Sequence, residues 1–221
     1  MQWRFYVAAR RRTERDGRRR SLGQNFLLPW RAEQLVHDAG LRPGELVVEI
    51  GAGGGTLTSA LARAGAEVIA VEVDPVWSER LRDIARRAGP GRIRVVEADF
   101  MSWSLPASPF RVVASVPFGE TTAILHRLLD DPQTFMQRAD LVMQYEVARK
   151  RAAVPPTTLL STVWAPWWEL RRGARVPGAH FRPVPRADGG VLVITRRDPP
   201  FLPPHLAAPY ATFVEDHWPF R

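Results

Sequence analysis

The run Leu46-Val47-Val48-Glu49-Ile50 passes straight into Gly51-Ala52-Gly53-Gly54-Gly55, and apolar residues at helical spacing follow from Leu57 to Ala64. A short β-branched run without polar alternation is the pattern of a strand buried on both faces. Glycines directly after it let the backbone take positive φ and approach a ligand where the next helix begins. The alternation then repeats. Strands are expected over 68–71, 93–96, 111–114 and 141–143, and helices over 76–88 and 123–129, the first of these with Trp77, Leu81, Ile84 and Ala85 on one face. This order predicts a doubly wound α/β sheet. Trp167 to Arg171 and Val191 to Ile194 are expected to pair antiparallel at one edge, with Trp164, Trp167 and Trp168 in the core.

Composition removes several classes of function. The chain has no cysteine, which excludes disulfides and thiolate metal sites. Its five histidines show no ligand spacing, so no metal is expected. No apolar run is long enough to span a membrane, and a cytoplasmic location is the default. Of the net charge of +8, residues 1–20 hold a large share, with eight arginines against Glu14 and Asp16. Arg10, Arg11, Arg12, Arg18, Arg19 and Arg20 are the candidates for contact with nucleic-acid phosphates. The expected organisation is a basic arm over 1–20, a catalytic domain over 21–197 and a short extension over 198–221. That last segment is too small for an independent domain.

The strand ends carry the candidate chemistry, because ligands bind outside the carboxyl edge of such sheets. Gly51, Gly53 and Gly55 are spaced more loosely than a dinucleotide fingerprint, which would place glycine where Thr56 stands. The spacing suits a cofactor without a pyrophosphate. Glu72 ends the second strand, where a carboxylate can accept both hydroxyls of a ribose, and Asp74 is its rival. Asp99 follows the third strand and can accept from an adenine amino group, with Phe100 covering the base. After the fourth strand, Ser115-Val116-Pro117-Phe118 offers a hydroxyl, backbone carbonyls and an aromatic ring.

Taken in order, Gly23-Gln24-Asn25-Phe26-Leu27, the glycine segment, Glu72-Val73-Asp74, Asp99-Phe100 and Ser115-Val116-Pro117-Phe118 resemble the ribosomal RNA adenine-N6 methyltransferase family. Gln144-Tyr145-Glu146-Val147-Ala148 and Phe181-Arg182-Pro183-Val184-Pro185 continue the resemblance, which spans about residues 20 to 197. It implies a Rossmann-like, mostly parallel seven-stranded sheet of the S-adenosylmethionine-dependent kind, with an antiparallel edge strand and a much reduced C-terminal part. It also implies S-adenosylmethionine as cofactor, ribosomal RNA as partner and a monomer. Gln24, Asn25 and Phe26 would lie near the methionine end, Gly51 to Gly55 beneath the cofactor, Glu72 on the ribose and Asp99 on the adenine. Ser115, Val116, Pro117 and Phe118 would be catalytic, with Ser115 also at the cofactor. There Phe118 stacks an extruded adenine, while Ser115 Oγ and the Val116 or Pro117 carbonyl orient its amine. The family's usual residue at the first of these positions is Asn.

The arginine-rich leader and the Ala165-Pro166-Trp167-Trp168 block look like the branch that modifies the peptidyl-transferase region of large-subunit RNA. That branch confers macrolide, lincosamide and streptogramin B resistance. The small-subunit dimethyltransferase branch is the alternative, and a non-catalytic RNA-binding assembly factor on the same fold is a third reading that Ser115 keeps open.

Overall fold

A computed structural model describes residues 25–219 of the chain. The arginine arm and Gln24 lie outside the described residues. A seven-stranded sheet has the order β4-β3-β2-β5-β6-β9-β7. Its strands are β2 (Leu46–Ile50), β3 (Glu67–Glu72), β4 (Ile93–Glu97), β5 (Phe110–Ser115), β6 (Met136–Gln144), β7 (Trp168–Val176) and β9 (Gly189–Arg196). From β4 to β6 every pairing is parallel; β9 runs antiparallel to both its neighbours, one place in from the edge. The chain therefore forms the doubly wound sheet that its alternation predicts. The strand order reverses between β2 and β5, which opens a crevice at their carboxyl ends.

Successive residues of the central strands point to opposite faces and so feed two cores. Val47, Val113 and Val142 pack on one side with Ala32, Leu35 and Val36 of helix α1 (Pro29–Ala39), Leu57 and Leu61 of α2 (Thr56–Arg63) and Leu81 of α3 (Pro75–Ala88). On the other side Val48, Val112 and Leu141 pack with Leu125 and Leu128 of α4 (Thr121–Leu129) and Ala148 of α5 (Tyr145–Arg151). Trp164, at the end of α6 (Leu159–Trp164), belongs to the same core. Trp164, Trp167 and Trp168 are buried, and each indole N–H finds an acceptor, Asp130 Oδ1 at 2.8 Å, the Leu202 carbonyl at 2.8 Å and the Leu129 carbonyl at 3.1 Å. They are core residues, as expected. Helix α7 (Ala207–Asp216) lies against α6, with Val214 buried and the Tyr210 ring edge-on to Trp167 at 5.9 Å.

Strand β6 is longer than its apolar triplet suggests. Ahead of that triplet it holds the polar residues Arg138 and Asp140. Asp140 is 2% exposed, bonded to Arg138 at 2.7 Å and 2.9 Å and to Arg111 of β5 at 3.4 Å. Burial is tolerated because the carboxylate meets two guanidinium groups inside the sheet. A small second sheet also forms, in which β1 (Phe26–Leu27) pairs antiparallel with β8 (Phe181–Arg182).

Candidate active site

A cavity of about 520 Å³ opens at the carboxyl ends of β2, β3, β4 and β5. Asn25 and Phe26, Gly51 and Ala52, Glu72 and Val73, Asp99 and Phe100, and Ser115 and Pro117 all line it. Residues scattered over some ninety positions of sequence thus meet around one space.

The glycine turn forms the floor. Gly51 N–H donates to the Val71 carbonyl at 2.9 Å, which ties the turn to β3. Gly53 has φ +50°, and a Cβ there would stand 2.2 Å from Phe26 Cε1. Gly55 has φ +77°, and its Cβ would meet Ile84 Cδ1 at 2.3 Å. Positive φ and this close packing together require glycine at both places. Gly53 and Gly55 shape the turn, while Gly51 and Ala52 line the cavity.

Glu72 holds that floor in place. Its Oε2 accepts the Gly53 N–H at 2.7 Å and its Oε1 the Asp74 N–H at 2.9 Å, with the residue 2% exposed. A carboxylate has about four acceptor positions, so capacity is left on the cavity side. Asp74 does a different job. It is the N-cap of α3, its Oδ1 accepting the Val76 N–H at 2.8 Å, and it does not line the cavity. Asp74→Ala is therefore expected to cost about 1 kcal/mol of stability, the usual worth of such a cap. S-adenosylmethionine affinity should stay nearly unchanged in the same variant, which calorimetric titration and a denaturant melt would check.

Glu49 is the second carboxylate at this floor, and it is wholly buried. Loss of solvent raises its pKa to about 8, and the nearby charge of Glu72 pushes the same way; the Thr58 hydroxyl, donating at 2.5 Å, opposes the rise. At neutral pH Glu49 is mostly protonated. Glu49 is a part of the site that its apolar strand context does not reveal.

On the opposite wall Asp99 Oδ1 accepts the Met101 N–H at 2.9 Å, which orients the carboxylate and leaves Oδ2 for a ligand. Phe100, 7% exposed, adds an apolar surface. Phe26 stands edge-on to Trp77 of α3 at 5.3 Å, so Trp77 backs the wall that Phe26 forms. Helical spacing alone marks Trp77 only as a core residue.

At the tip of β5, Val116 N–H donates to the Val142 carbonyl at 3.0 Å and fixes the segment after Ser115. The Val116 side chain is buried. The Pro117 carbonyl accepts the Glu120 N–H at 3.0 Å, where α4 begins. Phe118 does not line the cavity; it stands half-buried beside it, edge-on to Phe181 at 6.3 Å. Phe181 is fully buried and abuts Gly189, where a Cβ would lie 2.9 Å from its Cζ. It therefore braces Phe118 from behind, a contact that depends on the β1–β8 pairing and leaves no periodic trace in sequence.

The described residues suit S-adenosylmethionine. They offer carboxylates for a ribose and an adenine amine, an apolar cover for the base and a glycine turn that brings backbone close. Comparison with known proteins agrees. An rRNA adenine N-6-methyltransferase of Corynebacterium diphtheriae is 40% identical over 181 residues, 82% of this chain and 70% of that protein. The mycinamicin-resistance protein MyrB of Micromonospora griseorubida is 40% identical over 217 residues, 96% of this chain and 67% of its own length. Among solved structures, the 23S rRNA methyltransferase ErmE superposes with a TM-score of 0.76 at 33% identity, covering 86% of this chain and 78% of ErmE. The model of the ribosomal RNA adenine dimethylase family matches residues 15–218. The chain belongs to that family and is an rRNA adenine methyltransferase that uses S-adenosylmethionine.

Proposed function

We propose that this enzyme methylates N6 of one adenine in the peptidyl-transferase region of large-subunit (23S) RNA and so confers macrolide, lincosamide and streptogramin B resistance. The observation that carries the reading is the Ser115–Phe118 segment at the tip of β5, beside the cofactor cavity and braced by Phe181. Similarity to a mycinamicin-resistance protein and to a 23S rRNA methyltransferase supports the choice of branch. Methylation would remove donor hydrogens from the amine and add bulk where such drugs pack.

The adenine amine is a weak nucleophile, because its lone pair is delocalised into the ring. When bound, S-adenosylmethionine supplies a methyl group on a sulfonium. Asp99 would hold its adenine and Glu72 its ribose, with Asn25 and Phe26 near the methionine end. The protein's main task is to orient the target nitrogen. Ser115 Oγ accepts a hydrogen bond from one amine N–H. Of the two backbone carbonyls open on sequence grounds, that of Pro117 already accepts the Glu120 N–H, so that of Val116 is the preferred acceptor for the second amine N–H. Phe118 stacks the extruded base. Residues 21–197 form the catalytic unit, which acts as a cytoplasmic monomer, and the arginines of the leader hold RNA phosphates.

Incubation with labelled S-adenosylmethionine and protein-free large- or small-subunit RNA tests this directly. Label on a single large-subunit adenine is expected; label confined to small-subunit RNA would overturn the branch. Phe118→Ala is expected to lower kcat/KM by about 10- to 100-fold, the range for losing one base–aromatic stack. Phe118→Tyr should keep most of the activity.

A further inference from the structure

The pairing of β1 with β8 brings a second aromatic feature next to the target-base site. Leu27 stands opposite Phe181, and one residue further the Leu28 N–H donates to the His180 carbonyl at 2.9 Å. Helix α1 starts there and places the Trp30 ring edge-on to the His180 ring, 4.5 Å between centroids and 71° between planes. Trp30 is 48% exposed, although a tryptophan on an amphipathic helix normally turns inward. Arg182, on the other side of Phe181, is exposed and donates from Nη1 to the Ala179 and Phe181 carbonyls at 3.0 Å and 2.7 Å. Among the described residues no carboxylate pairs with it, so its charge is open to an anion.

A single exposed aromatic residue needs no explanation. Here a ring held upright by a second ring and an unneutralised guanidinium flank Phe181, which itself braces Phe118. Aromatic faces with cations beside them are the groups that bind unpaired nucleotides, the ring stacking a base and the cation meeting its phosphate. We propose that Trp30, held by His180 and assisted by Arg182, is a stacking platform for an unpaired nucleotide flanking the adenine that enters the active site. The proposal rests on the reading of Ser115–Phe118 as the target-base site. It assigns a second base-binding position, one that selects an RNA whose target adenine lies in a loop or bulge over one buried in continuous duplex.

The test uses the full chain and two synthetic RNAs, a hairpin with the mapped adenine in its loop and a fully paired duplex of equal length. Trp30→Ala is expected to weaken hairpin binding by about tenfold, raising KM while kcat holds. Duplex binding and S-adenosylmethionine affinity should remain at wild-type levels. Trp30→Phe should recover most of the hairpin affinity, and Arg182→Ala should reduce the dependence of binding on salt. Unchanged hairpin affinity in Trp30→Ala overturns the proposal, as does an equal loss on hairpin and duplex. A wild-type protein that labels no ribosomal RNA would instead sink the target-site reading, and this inference with it.

Discussion

Glu72→Ala is expected to weaken S-adenosylmethionine binding by roughly 100-fold or more while RNA affinity is spared. Two effects add. The carboxylate now accepts two buried backbone N–H groups, from Gly53 and Asp74, at 2.7 Å and 2.9 Å. An alanine leaves both without a partner, at about 1–3 kcal/mol each, so the apo protein should lose stability as well. The second effect falls on the ligand. Hydrogen bonds from ribose hydroxyls to a carboxylate are charge-assisted and worth about 1.5–3 kcal/mol each. Losing a pair of them accounts for the fall in affinity before any shift of the glycine floor is counted. Glu72→Gln keeps one acceptor oxygen and should land between the two. Calorimetric titration of cofactor and an RNA-binding assay on the same samples would separate the effects. A folded Glu72→Ala protein with normal cofactor affinity would remove Glu72 from the ribose.

The four strand-end positions of this site were legible because the parallel strands read as short runs rich in apolar, β-branched residues, and each ends where a glycine, acid or hydroxyl appears. Leu46–Ile50 announces Gly51; the next three strands announce Glu72, Asp99 and Ser115 in the same way. What periodicity could not show is whatever depends on contact between distant segments. Two-residue strands such as β1 and β8 carry no pattern, so the bracing of Phe118 by Phe181 and the upright Trp30 emerge only in three dimensions. The first half of β6 was hidden for a different reason. Its Arg138 and Asp140 look like surface residues until Arg111 from β5, itself paired with Glu45, joins Asp140 inside the sheet. Two questions that residue type alone had left open were narrowed by backbone geometry. Of the rivals Glu72 and Asp74, only Glu72 lines the cavity, since Asp74 caps α3, and of the two carbonyls after Ser115 that of Pro117 already accepts the Glu120 N–H.

Glu49 could not be assigned from its strand at all, yet its burial predicts a strong pH effect on stability. Its carboxyl titrates near 8 in the folded protein against an ordinary 4.5. Between those values the native state retains a proton that the unfolded chain has released. Stability must then fall as pH rises through this window, with the contribution fully favourable below about pH 4.5 and lost above about pH 8. Each tenfold change in proton affinity is worth about 1.4 kcal/mol, so the whole change amounts to on the order of 5 kcal/mol. Glu49→Gln removes the titration while keeping a group that can accept from the Thr58 hydroxyl. Denaturant melts of the two proteins from pH 5 to pH 8.5 should diverge steadily, with the variant increasingly the more stable as pH rises. Groups common to both proteins cancel in that difference, so parallel stability curves would show that Glu49 is ionised in the native state at neutral pH. The divergence also bears on the site. With Glu49 neutral, its carboxyl adds no negative charge to the cavity floor that it lines together with Glu72.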